Sequence, residues 1–142
     1  MPILQYHLVE DQYSAAQIER LLLESSTFFA EALASPVDRV RVFAHLHSPG
    51  AVAIGGRLVN DSGARAPYFH FVTLEGRPVE ERQKLLAGFT RIVVEVLGVD
   101  AALVRGACWP VHPDNWGIGG VPASVLRGQE IERREAAASA KA

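Results

Sequence analysis

Two halves of this chain follow one plan, and that duplication limits the folds open to it more than any other feature. The first half opens on a proline and a strand-like run, Pro2 to Val9, and later carries Val40-Arg41-Val42, Gly50 and Ala53-Ile54-Gly55-Gly56. The second opens on Pro67 to Leu74 and later carries Val104-Arg105, Asn115-Trp116 and Gly117-Ile118-Gly119-Gly120. From the proline to the isoleucine of Ile-Gly-Gly is 52 residues in the first copy and 51 in the second. Agreement to one residue over that span marks an internal repeat. One of the prolines stands at position 2, where loss of Met1 would leave a free secondary amine. Pro67 is internal and never has one.

Each copy reads as strand, helix, strand and glycine turn. Residues 3–9 are apolar-rich and strand-like. Ser14 with Gln17 resembles a capping box, and Ile18, Leu21, Leu22, Phe28, Phe29 and Leu33 then recur at helical spacing over 14–34. Pro36 and Asp38 break that helix, and residues 39–46 read as a second strand. Ser48-Pro49-Gly50 and Gly55-Gly56 mark turns, and residues 60–66 read as a linker. In the second copy residues 67–74 are a strand, and Glu75-Gly76-Arg77 a turn. Pro78 suits a first helical position, and a helix ends near Gly98. Residues 101–111 form the fourth strand, before a turn at 117–120.

A helical crossover makes the two strands of each unit parallel. The expected fold is therefore α+β, with two tandem β-α-β units merging into a four-stranded mixed sheet and both helices on one face. The other face is expected to be apolar and to need a cover, which predicts an oligomer. Residues 1–128 form a single domain of two repeats, 2–62 and 67–128, and 129–142 are a charged, then alanine-rich tail of little functional content.

The 142 residues, 49% of them apolar, suffice for one packed core. A net charge of -2 argues against a nucleic-acid partner. No apolar run reaches the roughly 20 residues of a bilayer span, and the N-terminus lacks the pattern of a signal peptide, so a cytoplasmic protein is expected. The single cysteine, Cys108, cannot form an intramolecular disulfide and reads as a packing residue. His45 and His47 share a strand face without Cys or carboxylate at ligand spacing. They, with His7, His70 and His112, read as structural, and no metal is expected.

The two prolines, Glu75-Gly76-Arg77, the Val-Arg pairs and the Gly-Ile-Gly-Gly run, in register, resemble the tautomerase superfamily. The likeness is to a fused pair of 4-oxalocrotonate tautomerase subunits. It extends to cis-3-chloroacrylic acid dehalogenase, malonate semialdehyde decarboxylase and 5-carboxymethyl-2-hydroxymuconate isomerase. The resemblance implies a homotrimer that needs no cofactor and acts on a small carboxylic acid.

Bared by removal of Met1, Pro2 would carry an amine that titrates near 7.7–8.0 when unperturbed. Burial and nearby cations would favour its neutral form, a general base suited to proton transfer beside a carbonyl. Arg77, just before the second helix, has the planar fork that fits a carboxylate, and the resemblance makes it substrate-binding. Its counterpart in the first copy is Gln12, so only the Pro2 site is expected to be active. By the same resemblance Arg105 polarises the substrate, with Arg41 as its counterpart in the other copy, and Trp116 walls the pocket where the first copy has Val52. Asp38 matches a functional aspartate of malonate semialdehyde decarboxylase. Leu74 stands where the dehalogenases carry an arginine, and Ile118 lies near their water-activating acid, which disfavours hydration and dehalogenation. Three readings stand: a tautomerase, a β-keto acid decarboxylase assisted by Asp38, and a non-catalytic oligomeric protein of the same fold.

Overall fold

A computed structural model describes residues 2–141. The first unit comprises β1 (Ile3–Val9), α1 (Ala15–Leu33), β2 (Arg41–His47), the hairpin strands β3 (Ala53–Ile54) and β4 (Arg57–Leu58), and the one-turn helix α2 (Val59–Ser62). The second repeats the order with β5 (Tyr68–Leu74), α3 (Val79–Leu97), β6 (Arg105–Val111), β7 (Gly117–Ile118), β8 (Val121–Pro122) and α4 (Ala123–Leu126). A further helix, α5 (Gly128–Lys141), follows.

Local chemistry explains where the helices begin and end. The Ser14 hydroxyl accepts from the Gln17 N–H at 3.1 Å while the Gln17 side chain accepts from the Ser14 N–H at 2.8 Å, the reciprocal arrangement that starts α1. Gly98 closes α3 in the left-handed region, φ 67°, which costs glycine nothing; Ala34 closes α1 there too, at φ 50°. Pro78 caps α3 from outside rather than opening it. Its ψ of 151° is extended, and its carbonyl accepts from the N–H groups of Glu81 and Arg82.

The second strand of each unit starts later than its hydropathy suggests. Residues Val37–Arg39 and Ala101–Leu103 wind into single 3-10 turns, and the strands begin at Arg41 and Arg105. In the second unit the Asp100 carboxylate accepts from the Ala102 N–H at 2.9 Å, a side-chain bond that diverts the backbone from extension.

The four long strands form one mixed sheet in the order β2-β1-β5-β6. β1 and β2 run parallel, as do β5 and β6, and the two units join through the antiparallel pair β1–β5, with Ile3 opposite Val72 and His7 opposite Tyr68. This pairing brings the start of each central strand to the end of the other. Pro2 meets Thr73 and Leu74, and Pro67 meets Leu8 and Val9.

Alternation along the strands sends Leu4, Tyr6, Leu8, Phe69 and Phe71 toward the helices. There they pack with Leu21 and Phe29 of α1 and with Leu85, Phe89 and Val93 of α3, all essentially inaccessible. Phe29, Phe71 and Phe89 meet with ring centroids 5.0 to 5.8 Å apart, within the favoured range for aromatic pairs.

The opposite sheet face is less apolar than the sequence suggests. Phe43 and Trp109 are 46% and 49% exposed there, but a histidine cluster lies between them. His7 stacks on His45 at 4.7 Å, its Nδ1 lies 2.8 Å from Nε2 of His47, and His70 stacks on Trp109 at 4.0 Å. Among the described residues no group of three or more His, Cys, Asp or Glu is placed to hold a metal ion. No helix among them is long and apolar enough to cross a membrane.

Candidate active site

The pseudo-twofold relation between the units yields two cavities, one at each proline. The cavity at Pro67 has a volume of about 390 Å³ and is lined by Leu8, Val9, Gln12, Tyr13, Val52 and Ile54 among others. Gln12 turns its amide to the Ala64 carbonyl at 2.8 Å, and the buried Tyr13 hydroxyl has no hydrogen-bond partner. Among the described residues no arginine lines this cavity directly, and the nearest guanidinium, that of Arg65, lies over the Tyr13 ring 5.6 Å from its centre.

The cavity at Pro2 is built differently. It holds only about 30 Å³, and Arg39, Arg77, Arg127 and Arg134 border it along with Pro2, Leu33, Thr73 and Leu74. Pro2 is fully buried. Arg77 leaves the turn before α3 with its side chain only 8% exposed and donates to Glu81 at 2.6 Å. That i,i+4 pair fixes the guanidinium beside the proline. Pro2 and Arg77, which the sequence pairs on chemical grounds, therefore share one cavity although they belong to different repeats.

α5 closes this cavity. Glu130, Ile131 and Arg134 line it from one helical face, and Arg127, just before the helix, lines it too. The tail of residues 129–142 thus contributes to the lining of the candidate cavity. Arg39 grips Glu130 with both guanidinium ends, Nη1 to Oε2 at 3.1 Å and Nη2 to Oε1 at 3.2 Å. That hydrogen bonding, joined by the charges of Arg127 and Arg134, holds the Glu130 carboxyl below the usual carboxylate range. Burial, with the charge on Arg77, draws Arg134 below an ordinary arginine. Nη1 of Arg127 is buried with no hydrogen-bond partner. Among the described residues four arginines border the cavity, and two carboxylates pair with them, Glu130 on its lining and Glu81 behind Arg77.

The other sequence candidates lie elsewhere in the chain. Arg41 begins the edge strand β2, its N–H donating to the Pro2 carbonyl at 3.1 Å, but its side chain is exposed and does not line the cavity. Arg105 occupies the matching place beside Pro67, at the other end of the sheet, and donates to the carbonyls of Ala102 and Val104 at 2.7 and 3.1 Å. Trp116 precedes β7, half-buried and apart from the Pro2 cavity. Asp38 is exposed in its 3-10 turn, one residue before Arg39.

Residues 67–125 match the family described as tautomerase enzyme. The 2-hydroxymuconate tautomerase of Comamonas testosteroni is 38% identical over 60 residues, 42% of this chain and 95% of that protein. A probable tautomerase of Dickeya dadantii is 36% identical over 58 residues, 41% of this chain and 87% of that one. Among solved structures, a native fused 4-OT superposes with a TM-score of 0.81 at 23% identity, covering 88% of this chain and 98% of that one. A malonate semialdehyde decarboxylase inhibited by 3-bromopropiolate gives 0.69 at 22% identity, covering 89% and 96%. A near-complete match to a short tautomerase, on a chain whose fold holds two such units, has one reading: this chain belongs to the tautomerase superfamily, as a fused, 4-oxalocrotonate tautomerase-like member.

Proposed function

We propose that the chain is a cofactor-independent tautomerase that interconverts the enol and keto forms of a small carboxylic acid, with Pro2 as general base. Tautomerase activity is the function that its relatives' names carry. The observation supporting the base is the burial of Pro2 in a cavity bordered by Arg77 and three further arginines. Once Met1 is removed, neighbouring cations oppose a second positive charge on the amine. The neutral nitrogen takes a proton from one end of the enol–keto system and returns one at the other end. Arg77 holds the substrate carboxylate through paired hydrogen bonds.

Arg105 and Trp116 lie away from Pro2 within one chain, so in this reading a neighbouring subunit supplies them, Arg105 offsetting enolate charge. A fused 4-OT that is a symmetric trimer shares the fold, with a TM-score of 0.78 at 22% identity over 87% of this chain and 98% of that one. We take a trimer as the working assembly.

The test is turnover of 2-hydroxymuconate and of phenylenolpyruvate by the purified protein, before and after acylation of the N-terminal amine. General base catalysis contributes about 10²–10⁴-fold, so acylation is expected to remove nearly all activity. Undiminished turnover by the acylated, correctly assembled protein would end this mechanism.

A further inference from the structure

We infer that the cavity at Pro67 is a second binding site, for a small uncharged molecule that joins an apolar ring to a carboxamide-like group, and that Gln12 sets this preference. The inference is separate from the reading of Pro2 as a base and stands or falls without it.

Size and lining are the first argument. The volume of about 390 Å³ lies within the roughly 300–1,000 Å³ of small-molecule sites. Leu8, Val9, Val52, Ile54 and Pro67 supply an apolar wall. Among the described residues the lining holds no Asp, Glu, Lys or Arg. A carboxylate bound here would lose its water without meeting a fixed charge on that wall, which is costly. An uncharged molecule escapes this penalty.

The repeat supplies the second argument. Gln12 stands ten residues after Pro2, as Arg77 stands ten after Pro67, and the antiparallel seam carries Gln12 to Pro67 and Arg77 to Pro2. A neutral amide thus takes the place of a guanidinium. Its nitrogen donates to the Ala64 carbonyl at 2.8 Å, which leaves the amide oxygen to accept from a ligand N–H. Tyr13 also lines the cavity, and its buried hydroxyl has no hydrogen-bond partner, a state that native folds rarely leave without a ligand or water. Val52 matches Trp116 in its backbone bonding. The Val52 carbonyl accepts from the Val59 N–H at 2.9 Å, and the Trp116 carbonyl from the Ala123 N–H at 2.8 Å. A small residue therefore keeps the cavity open at a position where this fold accepts tryptophan.

Benzamide and benzoate, alike in shape and different in charge, are the probes. Titrations at about pH 8, well above the ordinary histidine range, limit any charge on His7 and His47 of the lining. The readout on the full, assembled protein is the amide shifts of residues 51–54, 64, 66 and 68, which line this cavity and not the one at Pro2. Benzamide should bind there at least about tenfold more tightly than benzoate, the difference of one charge-selective hydrogen bond. Gln12→Arg, which copies the other repeat, should reverse that preference by about tenfold or more. Val52→Trp should fill the cavity and weaken benzamide at least about tenfold. No shift up to the solubility limit of benzamide, benzoate binding as tightly as benzamide, or an unaltered preference in Gln12→Arg would each overturn the inference. So would unchanged benzamide affinity in a folded Val52→Trp protein.

Discussion

The Tyr6 hydroxyl lies 2.7 Å from Oγ of Ser25, with both side chains completely buried between β1 and α1. Burial raises the Tyr6 hydroxyl above its usual range, with the Ser25 hydrogen bond acting the other way. Ser25→Ala would leave a buried hydroxyl without a partner and should cost about 1–3 kcal/mol. Tyr6→Phe in the same background should restore much of that loss, because the orphaned group is gone. Urea unfolding at fixed protein concentration measures both, and a Ser25→Ala variant as stable as the parent would mean a water replaces the serine.

A Cβ added at Gly106 of β6 would overlap the ring of the buried Phe69, 2.2 Å from its Cζ. Phe69 is fully buried and packs on Phe89 and Phe71, so it has nowhere to go. Gly106→Ala should destabilise by about 1–3 kcal/mol or more. Gly88 of α3 abuts Phe28 in the same way, but Phe28 lies at the edge of the core. There alanine also recovers about 1 kcal/mol of helix propensity, so Gly88→Ala should cost less. Equal losses at the two sites, read from thermal unfolding, would contradict this.

The histidine cluster predicts an acid-sensitive fold. Burial lowers His7, with the charges of His45, His47 and His70 adding to it, and burial with His45 lowers His70. A folded-state value below the ordinary 6.5 means that the unfolded chain binds protons first as pH falls. The stability from these groups is complete above that value and declines below it, until the folded-state values are passed. Unfolding midpoints between about pH 7.5 and about pH 5 should trace that decline, and His7→Gln should flatten it. A variant with an unaltered slope would assign the sensitivity to other groups.

Arg77→Ala should raise KM for a carboxylate substrate about 10–100-fold, the worth of a charge-assisted hydrogen bond. Pro67→Ala should leave kcat/KM within a few fold, since an internal proline has no amine to titrate. Steady-state kinetics on a folded, assembled protein decides both. A collapse with Pro67→Ala would give the larger cavity a part in the chemistry.

Much of this molecule is written locally. The helix ends follow from Ser14, Gln17 and Gly98, and the paired glycines of each hairpin take the positive φ values such a turn requires. The later start of β2 and β6 was hidden because a 3-10 turn of Val-Asp-Arg or Ala-Ala-Leu has no hydropathic period of its own. That Pro2 and Arg77 border one cavity was legible through the repeat, but the place of the last helix beside them was not. Its alanines speak only for helicity, and the face made by Glu130, Ile131 and Arg134 acquires meaning only once there is a cavity for it to cover. Arg41 and Arg105 sit at sheet edges, so a single chain cannot express what they would do across an interface.

The antiparallel seam between β1 and β5 also bears on how such a protein can change over time. Because it places each proline against the far end of the other repeat, neither half owns a complete pocket. At one pocket Pro2 belongs to the first half and Arg77 to the second. Drift at position 12 therefore damages only the pocket at Pro67, while drift at position 77 damages the one at Pro2. Two repeats thus make two cavities without making two independent halves, and neither repeat could be discarded without dismantling the Pro2 cavity.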